Sequence, residues 1–354
     1  LNFGDKMFKK YRLVLPVSLL AISMICLTIT SIPRWVSLLL MALASILMLV
    51  ASRGSYYFTK AGKILTQRKP GYIEKAIALY EKADKFGVPM QYSLIIGTIF
   101  LQYGDIEKGR KDLEQVLKSK DNKLVFQAKE SLSMYYWIKR DLDKAIELCE
   151  SARDMGMKNQ NLYINLGTYY LKKGRTKDFK VLQREAYKAN MDSIALIDLQ
   201  AEYLILTNDY RRSGNFLKSI FDKTTLTFQD PYIHFALVYL YYGKTDIAIK
   251  YLNECLENAT FSNVALYSRE DIEKMISLLE SDDTKWAFAT EAVKNPKSFL
   301  SGKMPECSER VEEPKFEPLV EFKSESLGKN DIANGSDDEP DTTLTEEDEE
   351  WIKR

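Results

Sequence analysis

Small residues recur along this chain at nearly one interval, at Gly97, Ser133, Gly167, Ala201 and Ala236, which stand 36, 34, 34 and 35 residues apart. Twelve residues after each lies a second register point, at Gly109, Ala145, Phe179, Ser213 and Ala248. Between the two points the sequence turns at Gly104-Asp105, Arg140-Asp141, Gly174-Arg175, Asn208-Asp209 and Gly243-Lys244. A period near 34 with one internal break predicts two helices per repeat. No such pair buries its apolar side without its neighbours, so the expected fold is an all-α solenoid.

The clearest copy spans 92–118. Ile96, Gly97 and Phe100 share one helical face, Gly104-Asp105 break the helix, and Gly109, Leu113 and Val116 share a face of the next. The layout returns as Leu166, Gly167, Tyr170, Gly174 and Ala186, and again as Phe235, Ala236, Tyr239, Gly243 and Ala248. Gly97, Gly104, Gly109, Ala145, Gly167, Gly174, Ala201, Ala236, Gly243 and Ala248 are therefore the expected packing and turn positions. Phe179 and Gln183 stand where a small and an apolar residue are expected, so the fourth pair is predicted to splay or repack. The pattern resembles the tetratricopeptide repeat (TPR) family, through Ile96-Gly97, Phe100 and Gly104-Asp105 in the first half of its consensus and Asp141, Ala145 and Ala152 in the second. A weaker copy at 56–85 extends the resemblance over 56–262, about six helix pairs. A helix at 266–281 would cap the array, giving a TPR-like solenoid over 56–281.

Residues 13–32 form 20 positions without a charge and 35–51 form 17 more, separated by Pro33-Arg34. At ~1.5 Å per residue each can cross a hydrocarbon core ~30 Å thick, so 13–51 reads as a two-helix transmembrane hairpin. Lys6, Lys9, Lys10 and Arg12 in the basic segment 1–12 precede it, and Arg53, Lys60, Lys63, Arg68 and Lys69 follow. By the positive-inside rule both termini are expected in the cytoplasm of an integral inner-membrane protein, with the basic run beside lipid headgroups. Leu1 in place of methionine points to a fragment, a processed chain or a non-standard start, and the Lys, Ile, Asn and Tyr usage has a bacterial cast.

Fifty basic residues balance 50 acidic ones, yet 303–354 holds 17 acidic and 7 basic residues, a net charge of −10. With four prolines and no helical period, this tail reads as disordered, after a short helix or linker at 282–302. Two apolar islands interrupt it, at 316–322 and 349–354. Chemistry is sparse. The single histidine, His234, is expected to be a partly buried structural residue, and Cys26, Cys149, Cys255 and Cys307 have no metal-ligand spacing. Gly243-Lys244-Thr245 lacks the second glycine of a phosphate loop, since Val238 holds that place. No enzyme, metal, cofactor or nucleic-acid role is expected.

In solenoids of the resembled family the first helix of each pair lines a concave groove. That implies a partner-binding strip of Leu94, Thr98, Leu101, Glu130, Met134, Trp137, Ile164, Thr168, Asp198, Glu202, Ile233, Leu237 and Tyr241. The paired Lys, Asn and Arg clamp that some members use for an acidic C-terminus is replaced here, so an apolar helix or extended segment fits better. The expected function is a membrane-tethered scaffold recruiting a protein or peptide partner, with the chain's own tail, through 316–322, as an alternative occupant of the groove. The other reading is a non-catalytic subunit of a membrane enzyme or of an export or assembly complex.

Overall fold

A computed structural model describes residues 14–29, 33–191, 193–307 and 310–324. The basic segment 1–12, the turn residues 30–32 and the island 349–354 lie outside the described residues. Among the described residues the secondary structure is helical throughout, with no strand. The chain divides into two compact units, one ending at Met157 and the other beginning at Lys158.

The first unit contains α1 (Val14–Thr28), α2 (Arg34–Gln67), α3 (Tyr72–Phe86), α4 (Met90–Tyr103), α5 (Ile106–Val116), α6 (Asn122–Ile138) and α7 (Leu142–Asp154). α1 packs on α2, and α2 packs on α3. The α1 seam includes Ser23, and the α2 seam follows small residues seven apart, Ser37, Ala44 and Ala51. Large side chains such as Leu15, Met24, Leu38, Leu39, Ile46 and Leu49 point outward instead. The sequence pattern placed a break between an apolar span and the first repeat helix. The chain makes none: α2 runs unbroken for 34 residues, and its second half packs Ala61 with Ala76, Tyr80, Ala83, Ile96 and Phe100. Further on, α4 pairs with α5 and α6 with α7, while α4 also touches α6.

The second unit contains α8 (Gln160–Lys173), α9 (Thr176–Lys188), α10 (Ile194–Leu206), α11 (Tyr210–Phe221), α12 (Asp230–Tyr241), α13 (Thr245–Asn258), α14 (Arg269–Glu280), α15 (Lys285–Lys294) and α16 (Pro296–Phe299). α8, α10 and α12 each pair with the helix that follows, and each touches the next of the three. α14 closes on α13, and then the chain returns: α15 packs on α12 and α14, and α16 on α10.

Local chemistry explains the pairing. At Arg140, Gly174, Asn208 and Gly243 the backbone is left-handed, with φ of 61, 87, 61 and 67°. After each, an amide donates back across the helix end, as Asp141 N does to Tyr136 O at 2.9 Å, Arg175 N to Tyr170 O at 2.8 Å, Asp209 N to Leu204 O at 2.8 Å and Lys244 N to Tyr239 O at 2.9 Å. This satisfies carbonyls that the helix end orphans. Asp105, Asp141 and Asp209 then cap the next helix through their carboxylates. Gly97 and Gly109 meet so closely that a Cβ on Gly109 would lie 2.7 Å from Gly97 O, and Ser213 Oγ donates to Ala201 O at 3.0 Å. In the irregular pair a large residue faces a small one. Phe179, 2 % exposed, lies against Gly167, and Gln183 Nε2 donates to Gln200 Oε1 at 2.6 Å.

Candidate functional site

The strip expected to line an open groove is largely closed. In the first unit Leu94, Leu101, Glu130, Met134 and Trp137 are buried, and Thr98, half-buried, donates to Ser131 Oγ at 2.9 Å. In the second unit Asp198, Glu202, Ile233 and Leu237 are buried, while Ile164, Thr168 and Tyr241 are half-buried. Tyr241 stacks on Tyr210 with ring centroids 3.9 Å apart. In the second unit the chain's own C-terminal helices contribute to this, because α15 and α16 pack on α12 and α10. Tyr210 Oη donates to Val293 O at 3.5 Å, and Tyr267 Oη donates to Phe299 O at 2.6 Å, fixing the last helix.

On α8, α10 and α12 lies a polar cluster within an otherwise apolar interior. Lys172 Nζ pairs with Glu202 Oε1 at 2.5 Å, with both side chains under 4 % exposed. His234 Nδ1 stands 2.8 Å from Asp198 Oδ1, and His234 Nε2 lies 3.6 Å from Glu202 Oε2, beyond hydrogen-bond reach and without another partner. Burial holds the Asp198 carboxyl well above the usual carboxylate range, with Lys172 opposing. Burial also lowers the His234 pKa, against the pull of Glu202. Both directions disfavour an aspartate–imidazolium ion pair and favour the uncharged pair. Asp230, on α12 near the cluster, is raised by burial as well and then by the charge of Asp198. His234 is thus more deeply buried than the sequence led us to expect, and its carboxylate neighbours lie a repeat away. The thiols of Cys149 and Cys255 are pushed up to about 12, chiefly by burial, which makes them poor nucleophiles.

Part of the segment expected to be disordered is placed. Residues 310–324 lie against the second unit without regular secondary structure, with Phe322 buried and Phe316 half-buried. Phe322 lies among Phe235, Tyr239 and Tyr242, its ring centroid 5.9, 5.6 and 5.9 Å from theirs. Phe316 packs on Trp286 of α15 at 5.4 Å and on Gly243 in the α12–α13 turn. The Tyr241 hydroxyl hydrogen-bonds Glu317, and Lys323 N donates to Asn215 Oδ1 at 3.0 Å. The island the sequence singled out does dock, on α11, α12, α15 and the α12–α13 turn. Of the expected strip, Tyr241 is the residue given a bond to it.

No protein-family model matches the chain, and no curated protein matches it. The class its structure defines, among the described residues, is an all-helical protein carrying one helix, near the N-terminus, long and apolar enough to cross a membrane.

Proposed function

We propose that this protein is a membrane-tethered interaction scaffold, in which TPR-like helix pairs present a surface to a protein or peptide partner. The observation that carries the reading is the continuity of α2. Its first half exposes Trp35, Leu38, Leu39, Leu43, Ile46 and Leu49, and its second half belongs to the helical core around Ala61. A contiguous apolar surface of this kind is not tolerated in water. Trp35 and Tyr56 bracket it, and the 21 helical steps from one to the other rise about 32 Å, matching a hydrocarbon core between aromatic belts. Two hydroxyls along it are bonded to their own helix, Ser45 to Met41 O at 2.8 Å and Ser52 to Leu49 O at 3.0 Å, whereas Ser37 Oγ, buried in the seam, has no hydrogen-bond partner. α1, packed on α2, completes the anchor, and the basic residues from Arg53 to Lys69 support a cytoplasmic location for the helix pairs.

Two measurements test the parts separately. Wild-type chain is expected to stay with membranes through alkaline carbonate, and Leu39→Arg with Ile46→Arg to release it. A photo-reactive residue at Thr168 or Tyr241 is expected to yield a discrete adduct with one partner in intact cells. Membrane retention with no adduct at either position rejects the scaffold and spares the anchor.

A further inference from the structure

Gly214 has no purpose in the helix pairing that surrounds it. It follows the register point Ser213, and the matching positions of the other pairs hold Arg110, Ile146, Lys180 and Ile249. Glycine inside a helix weakens it, yet here a Cβ would meet the Phe322 ring at 2.3 Å. The glycine is the floor of a ring pocket. A second pocket has Gly243 as its floor, where a Cβ would also stand 2.3 Å from a ring, that of Phe316. The two phenylalanines stand six positions apart in the chain, with five residues between them. Across that span Glu317, Pro318, Leu319, Val320 and Glu321 are exposed. The site therefore reads two aromatic rings at a fixed spacing, a carboxylate after the first, and little of the sequence between. The carboxylate is received by the Tyr241 hydroxyl.

We propose that this pair of pockets is a recognition site for an extended segment of a partner protein carrying two phenylalanines six positions apart and an acidic residue after the first, with 316–322 holding it in cis as an internal competitor. The assignment rests on the scaffold reading, since it supplies that scaffold's ligand. A segment attached mainly by its two rings holds through being covalently linked, which raises its effective concentration. A partner segment with the same rings needs no other feature to replace it.

The test uses full-length protein in detergent and a fluorescent peptide of sequence 312–324. Phe316→Ala with Phe322→Ala empties the pockets, and this variant is expected to bind the peptide at least about tenfold more tightly than wild type, whose tail competes. Adding Gly214→Val should abolish the gain, and a peptide with both phenylalanines replaced by alanine should not bind. Should the double variant fold poorly, wild type supplies a second readout: excess unlabelled peptide should speed hydrogen exchange at the Lys323 amide. Equal affinity in variant and wild type, binding of the alanine peptide, or unchanged exchange at Lys323 overturns the proposal. A wild-type dimer that dissociates on Phe322→Ala would assign the pockets to a second copy and overturn it too. A photo-adduct at Tyr241 without peptide binding rejects this site and leaves the scaffold standing.

Discussion

Glu130 lies on α6 at 7 % exposure, and burial pushes its carboxyl up to about 7. In the unfolded chain the same group titrates near ~4.3. Its folded pKa is raised, so between those values the folded state keeps a proton the unfolded state has lost, and stability falls as pH rises through the window. Glu130→Gln removes that slope. It is expected to be about 3 kcal/mol more stable than wild type at pH 8, with the difference gone by pH 4, in urea unfolding at the two pH values. His234 works in the opposite sense. Its pKa is lowered by burial, so its contribution is complete above ~6.5 and is lost as pH falls through the folded value. Lys172 and Glu202 make a harsher test, because removing one partner strands a buried charge. Lys172→Met should cost about 3–5 kcal/mol, and Lys172→Met with Glu202→Gln should recover most of it. A double variant no more stable than the single one would show that the pair is not the source of the loss. These residues were visible in the sequence without their contacts. A signal existed, since Glu202 follows Lys172 by 30 positions and His234 follows Asp198 by 36, close to one repeat on the same face. Sorting those positions by charge rather than by hydrophobicity would have joined them.

Among the helices, the twelve-residue spacing of register points was legible because it reports a backbone approach that tolerates few side chains. Gly97 with Gly109 and Ala201 with Ser213 meet as that spacing requires. Phe179 broke the composition rule without breaking the geometry, since Gly167 yields the volume that Phe179 takes. The turn positions tell a related story, for of the five turns the sequence identified within pairs four are left-handed, two of them without glycine, while Gly104 turns at φ −126°. Arg140 pays for φ 61° with steric strain, so Arg140→Gly is expected to stabilise the fold by about 1 kcal/mol. Thermal unfolding reads this directly, and a lowered midpoint would mean that the Arg140 side chain, which lies over the Trp137 ring at 5.4 Å, outweighs the strain. Two elements escaped the sequence. The unbroken α2 did so because Ser52, Arg53, Gly54 and Ser55 look like a linker, while helices are stopped by proline or by a left-handed cap, and the first such cap is Arg68, with φ 47°. The seat of 310–324 on α11 and α15 escaped, although docking of 316–322 was expected, because a strap held by two rings has no periodicity that names the helices beneath it.

At the scale of the molecule, one helix joins two halves of different character. The first half of α2 is apolar on nearly every side and the second half is amphipathic, so hydropathy alone found the apolar half while packing was needed to show that it continues into the first helix pair. What hydropathy could not show was the return of α15 and α16 onto α12 and α10, because the alanine-rich faces they bury, Ala287, Phe288, Ala289 and Ala292, match any apolar surface equally well. The anchor makes a prediction about depth. Trp35 is 63 % exposed in the absence of lipid, whereas Trp137 is 8 % exposed within the helical core. If α2 spans a bilayer, Trp35 sits at its boundary, where bromine on lipid acyl chains reaches the ring, and Trp137 is screened by protein. Reconstituted wild-type chain should therefore lose part of its tryptophan emission in brominated lipid, and Trp35→Phe should abolish that loss while keeping the emission of the remaining tryptophans. Equal quenching in both chains would place Trp35 outside the membrane, and with it the 21-residue interval to Tyr56 would lose its meaning as a bilayer thickness.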